Sequence, residues 1–140
     1  NLKPLNVKTS FATFGYACWN KGDTFIGHQL TTLAPYVDYI SPMLYPSSFQ
    51  YGVIGYENAV KHPGKVVQLS LNNCTKLTGI APGRFRPWLQ AFTDYSFDKR
   101  KFLKEQIQKQ INAAEEFAAD GWILWNPASR YKLDSLKAAD

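Results

Sequence analysis

Four times along this chain a short run rich in β-branched and aromatic residues precedes a stretch whose apolar residues recur at helical spacing or which closes on a helical tail. This alternation constrains the fold more than any other feature. Strands separated by helices cannot pair through tight turns. They are joined by crossovers, which puts them parallel in one sheet with helices over it. The strand-like runs are Val7 to Trp19, Val37 to Tyr45, Arg84 to Phe92 and Trp122 to Trp125. Pro87 lies near the beginning of the third, where a missing donor is best tolerated. The fourth is apolar on consecutive positions, which predicts burial on both faces.

The intervening segments carry their own start and stop signals. Ile26, Leu30, Leu33 and Ala34 predict a short helix ended by Pro35. A second helix is expected to start near Pro63, to run through Val67, Leu71, Cys74 and Leu77, and to stop at Gly79. The third has Asp98 as its expected N-cap, a stripe of Leu103, Ile107, Ile111, Ala114 and Ala118, and Gly121 just past its end. Lys132 to Ala139 can close the chain as a short helix.

With 140 residues and 45% apolar content the chain can bury one sizeable core as a single globular unit, and disorder is not expected. Its formal charge of +5 is spread thinly. The longest basic cluster, Lys99-Arg100-Lys101, reads as a solvated helix face, so no nucleic-acid partner is expected. Cys18 and Cys74 fall in different expected elements without metal-ligand spacing, and both are expected as buried free thiols. His28 and His62 lack a ligand pattern as well, so neither a metal nor a cofactor is expected. No apolar run approaches the roughly 20 residues of a membrane helix, so the chain is expected to be soluble, with no membrane partner. It opens on Asn1 without an initiator Met, as a trimmed, processed or partial chain would.

Four parallel strands with helices fit either a small doubly wound domain or half of a (β/α)8 barrel. The first turn, Cys18-Trp19-Asn20-Lys21-Gly22-Asp23, holds one glycine and so lacks the glycine-rich phosphate loop of the former. The strand ends carry Trp19, Tyr45, Phe92 with Tyr95, and Trp125 with Asn126. In a parallel barrel such ends meet at one rim, where these folds keep their sites. The fold class expected is therefore α/β, a (β/α)4 half of a TIM barrel. Aromatic faces at that rim suit the C–H faces of sugars, and Asn20, Asp94 and Asn126 could bond hydroxyls. Each aromatic taken singly is better read as a core plug beneath a loop; their recurrence at four ends argues for a surface that binds.

The strings FGYACWN (Phe14 to Asn20), LAPYVDYISPMLYPSSF (Leu33 to Phe49), RPWLQAF-TDY (Arg86 to Tyr95) and DGWILWNPASRY (Asp120 to Tyr131) resemble the glycosyl hydrolase domain of uncharacterised bacterial proteins. That barrel family is distantly similar to the α-amylase group. The resemblance implies that residues 1–140 are one C-terminal half-barrel unit of a longer (β/α)8 domain, with strands five to eight present. The absent half would hold the fourth-strand Asp expected to be catalytic. Two departures stand out: Thr13 and Ala91 occupy positions where the family's strings usually carry Asp.

Glycoside hydrolysis generally needs two carboxyl groups about 5 Å or roughly 6.5 to 9.5 Å apart. Asp94 is the best-placed catalytic candidate here, although a loop cap or turn residue is the favoured reading of it, with Asp23 and Glu57 behind it. Substrate contacts are expected from Trp19, Asn20, Tyr45, Phe92, Tyr95, Trp125, Asn126 and Arg130. The expected partner is a carbohydrate, and the isolated chain is expected to be inactive. The alternative is a non-catalytic carbohydrate-binding or structural half-barrel, with Trp19, Tyr45, Trp88 and Trp125 as platforms, that pairs with a complementary half or forms a homodimer. Gln90 could face a ligand or be a bonded interior group, while Arg84 and Arg86 are expected toward the stability face. The compartment stays open, a secreted or cell-envelope-associated parent among the options.

Overall fold

A computed structural model describes the chain except residues 1, 2, 24, 51–54, 133, 135 and 137–140. Among the described residues, β1 (Ser10–Phe14), β2 (Tyr39–Met43), β3 (Trp88–Gln90) and β4 (Ile123–Trp125) form one sheet in the order β1-β2-β3-β4, every pair parallel. The helices between them are α1 (Leu30–Leu33), α2 (Pro63–Thr78) and α3 (Lys104–Glu116). The expected mixed α/β class with a parallel sheet is thus what the chain adopts, and its strand order is compatible with half of a barrel.

One face of the sheet makes the core. Ile40, Leu44, Phe85 and Leu89 are wholly buried there, against Val66, Val67 and Leu71 of α2 and Ile107, Ile111 and Ala114 of α3. Burying each large side chain is worth about 1.5–3 kcal/mol, and a one-residue slip would turn every one of them to the other side, so this face sets the register. On the opposite face Ser10, Ala12 and Phe14 of β1 and Trp125 of β4 are exposed, flanking the buried Ser41 of β2 and Gln90 of β3. The hydroxyls of Ser10 and Ser41, 2.6 Å apart, show that the two strands present these positions together. The expected two-sided burial of the last strand is therefore corrected: Leu124 packs half-buried against the core, while on the other side Ile123 is half-buried and Trp125 exposed, because no described residue lies over them there.

The strands are shorter than the sequence suggests. The first ends at Phe14, where a 3-10 turn, Gly15–Cys18, takes over. A Cβ on Gly15 would lie 2.5 Å from the Met43 carbonyl oxygen, so only glycine lets the chain turn this close to β2. The first helix is one turn, and Ile26 lies outside it in an exposed bend. By contrast α2 begins on Pro63, and Gly79 closes it in the left-handed conformation, φ 70°, with its N–H on the Thr75 carbonyl. For α3 the start differs from expectation. Gln106 accepts the Leu103 N–H at the helix entry, while Asp98 pairs with Arg100 at 2.6 Å and caps nothing helical, since Lys99 takes a positive φ and breaks the path between them. The expected closing helix, Lys132 to Ala139, lies largely outside the described residues.

The cysteines overturn another expectation: Cys18 and Cys74 form a disulfide spanning 56 residues of sequence. The turn after β1 lays Cys18 on α2, a proximity created by the fold and invisible in the spacing. Arg84 and Arg86 do sit at the N-terminal ends of the strands. Arg84 donates to the Ala34 and Val37 carbonyls, and Arg86 lies 3.7 Å from the Tyr39 ring centre while pairing with Asp120 at 2.9 Å.

Candidate functional site

At the C-terminal ends of the strands the chain forms a cleft of about 920 Å³. Each strand contributes an aromatic side chain at or just beyond its end: Phe14 from β1, Tyr45 after β2, Phe92 and Tyr95 after β3, and Trp125 from β4. The rings brace one another. Tyr45 meets Phe92 edge-on at 5.5 Å, Phe92 lies nearly parallel to Tyr95 at 6.2 Å, and Trp125 is edge-on to Trp88 at 6.0 Å. Phe14, Tyr95 and Trp125 keep 54%, 51% and 43% of their surface exposed, which separates them from core plugs. Burial pushes the Tyr45 phenol well above its ordinary range, with Tyr131 and Tyr95 adding to the effect. It remains a neutral hydroxyl under all ordinary conditions.

Asp94 does not line this cleft and is buried beneath the loop after β3. Its carboxylate accepts the Ser47 hydroxyl at 2.6 Å and the N–H groups of Ser96, Phe97, Asp98 and Lys99 at 2.8–3.1 Å. Burial alone would raise its pKa; the Ser47 hydroxyl and the backbone donors outweigh that and hold it below the usual carboxylate value. A carboxylate so fully engaged builds the loop that presents Tyr95, whose hydroxyl lies 3.0 Å from that of Ser48. Gln90 belongs to the same buried network, accepting the Ser47 N–H and donating to the Ser47 hydroxyl oxygen. Asp23 accepts the Phe25 N–H within a turn, and Glu57 is exposed away from the cleft. Among the described residues no Asp or Glu lines the cleft.

Asn126 does line it, yet its amide is also committed to the fold. Its Nδ2 donates to the Ala91 carbonyl at 2.6 Å and the Arg130 carbonyl at 3.0 Å, and its Oδ1 accepts the Ala128 N–H. The Asn126 N–H in turn meets the Tyr131 hydroxyl at 3.1 Å. These bonds close the turn from Asn126 to Arg130 and hold Arg130 at the cleft wall.

Trp19 and Asn20 are not brought to this cleft. The Trp19 indole N–H donates to the Ser70 hydroxyl on α2 at 3.1 Å, and Asn20 accepts the Gly22 N–H in an exposed turn. The 3-10 turn and the disulfide carry this segment over the helices. Phe14 and Tyr16 take its place, together with Phe49 and Gln50 from the loop after β2. Phe14 was findable from the sequence: Ser10, Ala12 and Phe14 alternate along one face, and Phe14 is the last of them. Thr13, on the other face, is fully buried, and Ala91 is nearly so.

A family model described as "Putative glycosyl hydrolase domain" matches residues 1–131. No curated protein and no solved structure matches the chain.

Proposed function

Because this chain belongs to the glycosyl hydrolase domain family, we propose that its cleft is the sugar-holding wall of a glycoside hydrolase site on poly- or oligosaccharide. One observation carries this reading: aromatic side chains from all four strand ends line a single cleft in which no described carboxylate faces them. Stacking surfaces without an acid and a base can hold a sugar but cannot cleave it. The chain is thus a C-terminal half of an α-amylase-like (β/α)8 barrel, inactive alone, and the complementary half supplies the carboxylates. In this arrangement Tyr45, Phe92, Tyr95 and Trp125 bind sugar faces, and Arg130 and the Tyr45 hydroxyl contact polar groups. Asp94 and Asn126 position the loops that hold Tyr95 and Arg130.

The exposed edge strands favour the partner half of this reading. The outer edges of β1 and β4 are unpaired among the described strands, and Phe14 and Trp125 lie exposed between them. A complementary half-barrel, or a second copy standing in for it, would cover this face and close the sheet.

Titration of the chain with oligosaccharides, followed by tryptophan fluorescence, tests the binding wall; no spectral change with any sugar would defeat it. Mixing the chain with the missing half should release reducing sugar, while the chain alone should release none. Light scattering behind size exclusion tests association, and a monomer at high micromolar concentration that does not bind the complementary half would oppose it.

A further inference from the structure

Beside the aromatic cleft lies a smaller one of about 290 Å³ that shares Phe92, Thr93, Asn126 and Arg130 with it. Three cationic residues line this second cleft, Lys101, Arg130 and Lys132, and no described Asp or Glu does. Among the described residues none of the three takes part in a salt bridge, although other cations of the chain do: Lys8, Arg86, Arg100 and Lys109 each face a carboxylate. The basic cluster at 99–101 is divided by the same logic. Lys99 donates its ammonium group to the Tyr95 carbonyl and Arg100 is neutralised by Asp98, which leaves Lys101 to the cleft. Phe102, Ile107 and Leu124 supply apolar lining, and the three cations stand exposed at its mouth.

Like charges gathered without a counter-ion repel one another and gain most from an anion between them. The shared residues make the two clefts neighbours, so a ring stacked in the first places its substituents within reach of the second. We infer that the saccharide held by this chain is acidic, its anionic substituents, carboxylate or sulfate ester, taken by Lys101, Arg130 and Lys132. The inference rests on the sugar-binding reading above and names its substrate class. The same pairing of aromatics and cations could suit a single-stranded nucleic acid, but the aromatic wall here is a compact cleft at one sheet end, sized for a few sugar rings, and the cations border it on one flank.

The test uses the whole 140-residue chain and fluorescence titration with matched tetrasaccharides: uronate, neutral hexose of the same linkage, and sulfated hexose, with oligo(dT) as a fourth probe. Arg130→Gln and Lys101→Gln are compared with the parent, each first checked for an unchanged circular dichroism spectrum. The expected result is at least tenfold tighter binding of an acidic tetrasaccharide than of the neutral one, a preference weakened by salt and largely lost in Arg130→Gln and reduced in Lys101→Gln. Whether uronate or sulfate binds tighter identifies the substituent. Equal binding of acidic and neutral sugars, or an acidic preference untouched by both variants, overturns the inference and leaves the sugar-binding reading standing. Binding of no saccharide overturns both. Binding of oligo(dT) more tightly than any sugar assigns the cations to a different ligand and overturns the inference.

Discussion

The side-chain amide of Gln110 is bonded at both ends to the backbone of Gln90: its Oε1 accepts the Gln90 N–H at 2.9 Å and its Nε2 donates to the Gln90 carbonyl at 2.9 Å. Both residues are wholly buried. β2 and β3 pair around Met43 and Trp88, with the Leu44 N–H on the Trp88 carbonyl, and the segment entering β3 bridges β2 through the Arg86 N–H on the Ile40 carbonyl. Beyond that point the chain leaves into the turn Pro46–Ser48. A helix side chain therefore stands where the next strand residue would have bonded, and β3 keeps its backbone satisfied up to the cleft.

Replacing Gln110 by Leu keeps the bulk and leaves both Gln90 backbone groups unpaired. Each such buried group costs about 1–3 kcal/mol, so the variant should lose about 2–4 kcal/mol. Urea denaturation checks this: the midpoint should fall at an unchanged m-value. A shift of only about 0.5 kcal/mol, typical of a surface change, would mean that the amide bonds are dispensable.

Asp94 makes stability depend on pH in a defined direction. Its folded-state pKa lies below the ordinary carboxylate value, so its contribution is complete above about pH 4 and is lost as pH falls through the folded value. Asp94→Asn, which removes the charge from five donors, should cost at least about 2 kcal/mol at pH 7. The gap between variant and parent should narrow below pH 4 in thermal melts. A gap of constant size across that range would show that the loop does not rest on the ionised form.

Saccharide affinity should follow cleft membership. Trp125→Ala and Tyr95→Ala should each weaken binding about tenfold, as truncating a central aromatic contact usually costs about 1–2 kcal/mol. Trp19→Phe, which removes the bond to Ser70 and part of the ring packed against the core, should leave affinity unchanged and lower the melting temperature. Equal loss of affinity from Trp19→Phe would place the sugar on the other side of β1.

Gly64 tests how closely the helices must meet. A Cβ there would stand 2.7 Å from the Lys109 carbonyl oxygen, backbone that cannot swing aside. Alanine is the better helix former by about 1 kcal/mol, yet Gly64→Ala should destabilise by about 1–3 kcal/mol because α2 and α3 must separate. A higher melting temperature would show that α3 shifts freely.

The architecture was legible because it rests on local periodicity. The stripe through Val67, Leu71 and Cys74 and the one through Ile107, Ile111 and Ala114 face the core as spaced, and Gly79 stops its helix as glycine should. What escaped was set by groups distant in sequence. Trp19 follows an apolar strand and reads as a strand tip, but the chain had already turned at Gly15. Asp94 and Asn126 have the chemistry of site residues, and both spend it on nearby backbone, which residue type alone does not reveal. Two-sided burial of Trp122 to Trp125 was inferred from composition, which reports how apolar a strand is and not whether anything lies over it. The cysteines, 56 residues apart, offered no spacing that distinguishes a bridge from two thiols.

That bridge gives the molecule a maturation step that translation cannot complete. Joining the exit of β1 to α2 removes freedom from a long stretch of unfolded chain, worth about 4 kcal/mol for a loop of this length. Such a link forms and persists where an electron acceptor is at hand and thiol reductants are scarce. The host and redox conditions chosen for producing the protein therefore decide which molecule is obtained: the cross-linked one, or a dithiol form with a looser hold on the segment that carries Phe14 to the cleft.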